Sequence, residues 1–162
     1  MTIIRTLQSE DDLNDLITLS KDFFEEYEVH HEEFFDIDNL QEGDIVDFFT
    51  HSIEAENGAT FVAIEEGRMV GYITVSVRPQ PGFYKIKQVG AISGLMVHKD
   101  WRRRGIASQL IARTVEFFAE KNVGYYTVYT AWVNQPAIRC YEKHGMSPLY
   151  KTFIGRVDGH QE

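Results

Sequence analysis

Arg102, Arg103 and Arg104 stand in a row directly before Gly105, where an apolar-periodic segment begins. The first turn of a helix exposes backbone N–H groups with no partner inside the helix, and the helix dipole adds partial positive charge. Exposed cations at that end oppose the dipole by about 0.3–1 kcal/mol each. Three of them there make physical sense around an anion, ideally a phosphate. Gly105 lacks a Cβ and lets a polyanion approach the backbone, and Ala107 and Ser108 keep the next positions small. The plain alternative is a solvated basic triplet.

A second region carries the opposite charge. From Asp22 to Glu56 there are thirteen acidic residues and no Lys or Arg. Such a stretch is either a pair of solvated helix faces or an acidic wall that attracts a cationic ligand. The run His30-His31-Glu32-Glu33 invites a metal, but adjacent residues on a helix do not share a face. No second cluster complements it, so no metal site is expected.

The bulk numbers bound the rest. A chain of 162 residues, 43% apolar and 13% aromatic, is one globular domain by length. The net charge of −9 argues against nonspecific nucleic-acid binding, which needs a basic face. No apolar run approaches the ~20 residues of a membrane span, and the start, MTIIRTLQSEDDL, shows no signal peptide. The single cysteine, Cys140, excludes an internal disulfide and fits a cytoplasmic location.

Periodicity supplies the elements that must position these charges. Thr2–Leu7 is β-branched and short and reads as an edge strand. Ser9 with Asp12 fits a capping box ahead of a helix whose apolar face runs from Leu13 through Leu16, Ile17, Phe23 and Phe24 to Tyr27. A second helix is expected from Glu42 or Asp44 to about Glu56. GATFVAI and RMVGYITVSV are strands joined by a Glu66-Gly67 hairpin turn. RPQPGFY is a loop, QVGAISGLMV a strand, and a helix runs from about Gly105 to Lys121 with Ile106, Leu110, Ile111, Val115 and Phe118 on its buried face. GYYTVYTAW is another strand, followed by a helix from Asn134 to about His144 and a final strand near Leu149–Arg156. The order β-α-α-β-β-β-α-β-α-β is that of one α/β domain over residues 1–162, with a mixed sheet.

Two segments carry a resemblance. RRRGIA fits Arg/Gln-x-x-Gly-x-Gly/Ala at Arg102, Gly105 and Ala107, preceded by LMVHKDW, which is similar to Leu-x-Val-x-Pro-x-aromatic. NQPAIRCYEKHGM fits Asn-x-x-Ala-x-x-x-Tyr-x-Lys-x-Gly-Phe at Asn134, Ala137, Tyr141, Lys143 and Gly145. Together, in this order and separation, they resemble the signature segments of the GNAT N-acetyltransferase superfamily. The resemblance implies an α/β (α+β) fold: a GNAT-type mixed sheet flanked by helices, with a V-shaped splay between strands ending near Val97 and Ala131. It implies acetyl transfer from acetyl-CoA, as acyl donor and without a metal, to an amine.

Carried over residue by residue, the resemblance assigns Arg102, Arg103, Arg104, Gly105, Ile106, Ala107 and Ser108 to the pyrophosphate, with the arginines assisting by side-chain pairing. It assigns the backbone of Leu95, Met96 and Val97 to the pantetheine arm and the acetyl carbonyl, with Gly94 marking a bulge. Asn134 binds the coenzyme arm or caps its helix. Tyr141 is the general acid that protonates the departing thiolate, which suits a phenol of pKa about 10; its alternative is a core aromatic. Cys140 points about 100° away around that helix and reads as a packing residue.

Three positions depart from the pattern: Lys99 replaces a proline, Met146 a phenylalanine, and Tyr129 stands where the branch acting on ribosomal-protein N-termini has a Glu base. Deprotonating a lysine-like amine at pH 7 costs roughly 4–5 kcal/mol, so a base matters. Glu26, Glu28, His30, His31, Glu32 and Glu33 are candidates, with Tyr27 and Tyr129 orienting a water chain. Tyr27, Glu28, His30, His31 and Tyr129 thus form the expected acceptor site. The expected partner is a small-molecule or peptide amine, cationic in view of the acidic stretch: a polyamine, an amino-sugar compound or a peptide end. Neither nucleic acid nor membrane is expected, and a homodimer is allowed. The alternative to an active enzyme is a CoA-binding sensor or interaction module without turnover.

Overall fold

The structure is a computed structural model that describes residues 1–159. Two compact units divide it, Met1–Tyr129 and the residues from Thr130 onward.

The first unit holds a five-stranded sheet in the order β1-β2-β3-β4-β5: β1 (Ile3–Thr6), β2 (Gly58–Glu65), β3 (Arg68–Pro79), β4 (Gln88–Val97) and β5 (Tyr126–Val128). The first three pairings are antiparallel and β4–β5 is parallel, so the sheet is mixed as expected. Glu66 and Gly67 turn between β2 and β3 with φ of 52° and 75°, the left-handed pair that a two-residue hairpin needs.

Three helices cover the two faces. Helices α1 (Asn14–Glu28) and α2 (Glu42–Glu54) lie on one face, with Leu16, Leu19, Ile45 and Phe49 packed against Val62, Tyr72 and Met96. Helix α3 (Ile106–Glu120) lies on the other, where Phe117 stacks edge-on to Phe61 and Phe118 lies against Gly90. Gly90 thus faces α3, whereas Met96 faces α1 and α2. Both are even-numbered on one strand, which the two-residue period forbids without an inserted residue. The insertion is Ser93: Thr74 pairs with Gly94 and Val75 with Ile92. The bulge that Gly94 suggested therefore exists, one residue earlier.

Three expectations are corrected. Ser9 and Asp12 form no capping box. Arg5 holds the Asp11 carboxylate through two bonds of 2.8 Å and pulls this turn away from the helix, which starts at Asn14 with the Asp12 carboxylate accepting its N–H. Leu149–Arg156 is not a strand. Leu149, Tyr150 and Phe153 are exposed, and alternation makes a strand only where a neighbouring edge supplies the ladder. The strand expected from GYYTVYTAW is three residues long and ends at Val128, short of Ala131.

In the second unit, helix α4 (Gln135–Lys143) is capped by Asn134, whose Oδ1 accepts from the Ala137 N–H at 3.4 Å.

Candidate active site

The β4–β5 ladder has three pairs and stops at Ile92–Val128. Immediately beyond lies the Ser93 bulge, and β4 runs on through Leu95, Met96 and Val97 paired only to β3. The parallel edge therefore opens beside the three residues expected to receive a pantetheine arm. A bulge bends and twists its strand, which accounts for the parting at this register.

Past Val97 the chain makes a tight loop. The Nδ1 of His98 accepts the Asp100 N–H at 3.1 Å and seeds a single helical turn over Lys99–Trp101. Arg103 and Gly105 then adopt left-handed φ of 62° and 81°. Gly105 is the N-cap of α3 and has no side chain to offer the first turn, which contains no acidic residue. A Cβ built on Gly105 meets nothing within 4 Å. An uncapped helix start with open space before its backbone is the cradle an anion requires, and it fits a phosphate.

The three arginines separate. Arg104 lies over the Trp101 ring, 4.6 Å from its centroid. Arg103 is exposed. Arg102, also exposed, folds back onto the protein: its Nε donates to the Val97 carbonyl at 2.9 Å, and its Nη2 lies 2.9 and 3.0 Å from the two Glu26 oxygens. The triplet expected to serve phosphates as a group has one member committed to the protein.

The acidic segment is also less uniform than its composition. Glu28 accepts the Ile37 N–H, closing the stretch between them, and Glu42 pairs with Lys21 at 2.8 Å. His31 Nδ1 accepts the N–H groups of Glu33 and Phe34 and so caps this turn. Tyr27 stacks on Phe23 and meets the edges of His30 and Phe35. Tyr27, Glu28, His30 and His31 thus share one aromatic, acidic segment, while Tyr129 follows β5 and is exposed. Asp22, Glu25 and Glu26 line a cavity of about 280 Å³ with Met96 and Lys99. This juxtaposition of α1 with the end of β4 has no sequence signal beyond the α1 periodicity, since contact across 70 residues is set by the sheet. Among the described residues no group of three or more His, Cys, Asp or Glu is placed to hold a metal ion.

In the second unit, Tyr141 lies on α4 next to Cys140. Burial raises the Cys140 thiol pKa, with Lys143 lowering it in part. A raised thiol pKa opposes thiolate reactivity, in keeping with a packing role.

The acetyltransferase (GNAT) family model matches residues 14–146, and the chain belongs to that family. Solved structures share the fold. AAC(6')-Iy in complex with a CoA bisubstrate analog superposes with a TM-score of 0.77 at 18% identity, covering 96% of this chain and 97% of that one. A predicted acetyltransferase from Clostridium acetobutylicum, solved with acetyl-CoA, gives 0.72 at 17%, covering 100% of both chains. An aminoglycoside acetyltransferase from an uncultured soil metagenomic sample gives 0.69 at 26%, covering 96% of each. No curated protein matches the chain. No helix among the described residues is long and apolar enough to cross a membrane.

Proposed function

We propose that residues 1–162 act as one acetyltransferase domain that moves an acetyl group from acetyl-CoA to a primary amine. The observation that carries this reading is the opening of the parallel edge at Ile92–Val128, directly upstream of an uncapped helix start at Gly105. Bound acetyl-CoA supplies the thioester. The chain supplies the rest: the first turn of α3 receives the pyrophosphate, and backbone groups at Leu95–Val97 orient the arm and polarise the acetyl carbonyl. Tyr141, by its place in the Asn-x-x-Ala-x-x-x-Tyr segment, donates the proton to the leaving thiolate. The acceptor is an amino-sugar compound or another cationic amine. The 26% identical aminoglycoside acetyltransferase supports the first, and the acidic segment supports both.

Calorimetry with acetyl-CoA, followed by thiol release across aminoglycosides, polyamines and peptide amines, tests the reading. Binding with turnover on at least one amine is expected. Binding without turnover on any amine points to a sensor, and no binding removes the coenzyme site. Tyr141→Phe should lower kcat by about 10²–10⁴ with acetyl-CoA affinity unchanged; wild-type turnover would assign the proton to another group.

A further inference from the structure

We infer that Arg102 is a positioning residue that fastens helix α1 to the end of β4, and that Glu26 is its partner. The inference rests on the coenzyme reading above. In that reading Val97 lies on the coenzyme strand and α1 carries part of the acceptor segment.

A guanidinium is a rigid planar fork whose donors leave in fixed directions. Here Nε donates to the Val97 carbonyl at 2.9 Å, while Nη2 reaches both Glu26 oxygens at 2.9 and 3.0 Å and lies 3.6 Å from Met96 Sδ. One side chain therefore fixes the last carbonyl of β4 relative to a carboxylate 76 residues away on α1. A lysine has a single ammonium and no fork, so it cannot hold both directions at once. The Glu26 carboxylate also stands on the guanidinium where a phosphate oxygen would otherwise pair. Two anions compete for one cation, and in this structure the carboxylate holds it. The phosphate work then falls to the backbone at Gly105–Ser108.

The consequence is linkage. Whatever restrains Val97 also restrains the last two turns of α1, and the coupling is reciprocal. The pair is about half exposed, with side chains 41% and 48% accessible, so the effect is modest.

The test uses the full chain and CoA as the probe. Amide hydrogen exchange over residues 22–28 is measured with and without saturating CoA. In the wild type, CoA should slow exchange there about threefold to fivefold. Arg102→Gln and Glu26→Gln should each abolish that CoA-dependent slowing, and the double variant should match either single one. Arg102→Lys should restore less than half of it. Arg102→Gln and Glu26→Gln should change CoA affinity by the same factor, since either one removes the same tether. If Arg102→Gln weakens CoA binding tenfold while Glu26→Gln does not, Arg102 is a phosphate ligand and the inference is overturned. It is overturned alone if CoA binds the wild type and exchange in α1 does not change. If CoA does not bind the wild type, the coenzyme reading falls and takes this inference with it.

Discussion

On the face covered by α1 and α2, polar side chains make much of the connection to the sheet, whereas the face under α3 is joined mainly by apolar packing, with Arg113 lying over the Phe61 ring. Asp15 accepts the Met69 N–H at 3.0 Å and pairs with Arg68 at 2.6 Å. Buried Tyr72 is hydrogen-bonded to Ser20, and burial pushes its pKa up to about 12. The Ser52, Thr60 and Thr74 hydroxyls form a buried chain with spacings of 2.7 and 2.8 Å, and Ser52 donates to the Phe49 carbonyl. On the other face, α3 buries Ile106, Leu110, Ile111, Phe117 and Phe118, and the hydroxyl of its one buried threonine, Thr114, has no hydrogen-bond partner among the described residues. Apolar packing sets depth and volume but not direction. Hydrogen bonds set direction, and those made by ionisable groups such as Asp15 respond to pH. Helix α3, whose start is the proposed anion cradle, is seated by packing, and α1 and α2, which flank the proposed acceptor segment, are seated by named polar contacts.

The contrast can be broken most sharply at the start of α3. Gly105→Val places a β-branched residue at a φ of 81°, where strain costs about 1–2 kcal/mol, and fills the open space before the backbone. CoA affinity should fall at least tenfold and the melting temperature should drop. Gly105→Asn separates the two effects, because Asn tolerates the left-handed region. Its melting temperature should stay near wild type while CoA affinity still falls. Calorimetry showing unchanged affinity in both variants would remove the α3 start from the coenzyme site.

A smaller effect compares the same substitution on opposite faces. Thr60→Val interrupts the buried hydroxyl chain and strands its neighbours, which costs about 1–3 kcal/mol. Thr114→Val removes a buried hydroxyl that has no partner among the described residues and keeps the shape, so it should raise stability by up to about 1 kcal/mol. Urea midpoints of the two variants should move in opposite directions. A shift of the same sign would show that the two faces are not held differently.

The smallest effect is on the pH response. The Arg68 side chain hydrogen-bonds Asp15 and holds its carboxyl below the ordinary range, against an opposing push from burial. A depressed carboxylate adds stability that is fully present above the unfolded pKa, near ~3.9, and is lost as pH falls through the lower folded value. Asp15→Asn should therefore cost about 1 kcal/mol or less at pH 7. The gap to wild type should close below about pH 4. A gap that persists at low pH would assign the contribution to the Met69 hydrogen bond rather than to charge.

Local chemistry was legible residue by residue. β4 spans Gln88–Val97 as its apolar run indicated, and Glu66-Gly67 turns as its composition requires. The arginine-glycine stretch opens a helix that lacks a capping side chain, and Asn134 caps α4. These depend on backbone preferences within a few residues, which the sequence by itself determines. Partner choice did not follow. The capping box at Ser9 failed because Arg5 captured the neighbouring Asp11, and the expected strand at Leu149–Arg156 failed because alternation names no neighbouring edge. Thirteen acids in a row of charges read alike, yet Glu26, Glu28 and Glu42 are spent on an arginine, a backbone N–H and a lysine. The position of the bulge at Ser93, and the folding back of Arg102 onto Val97 and Glu26, were decided only by tertiary structure. A hydrogen bond depends on tenths of an ångström between groups up to 76 residues apart, and no local rule of spacing contains that distance.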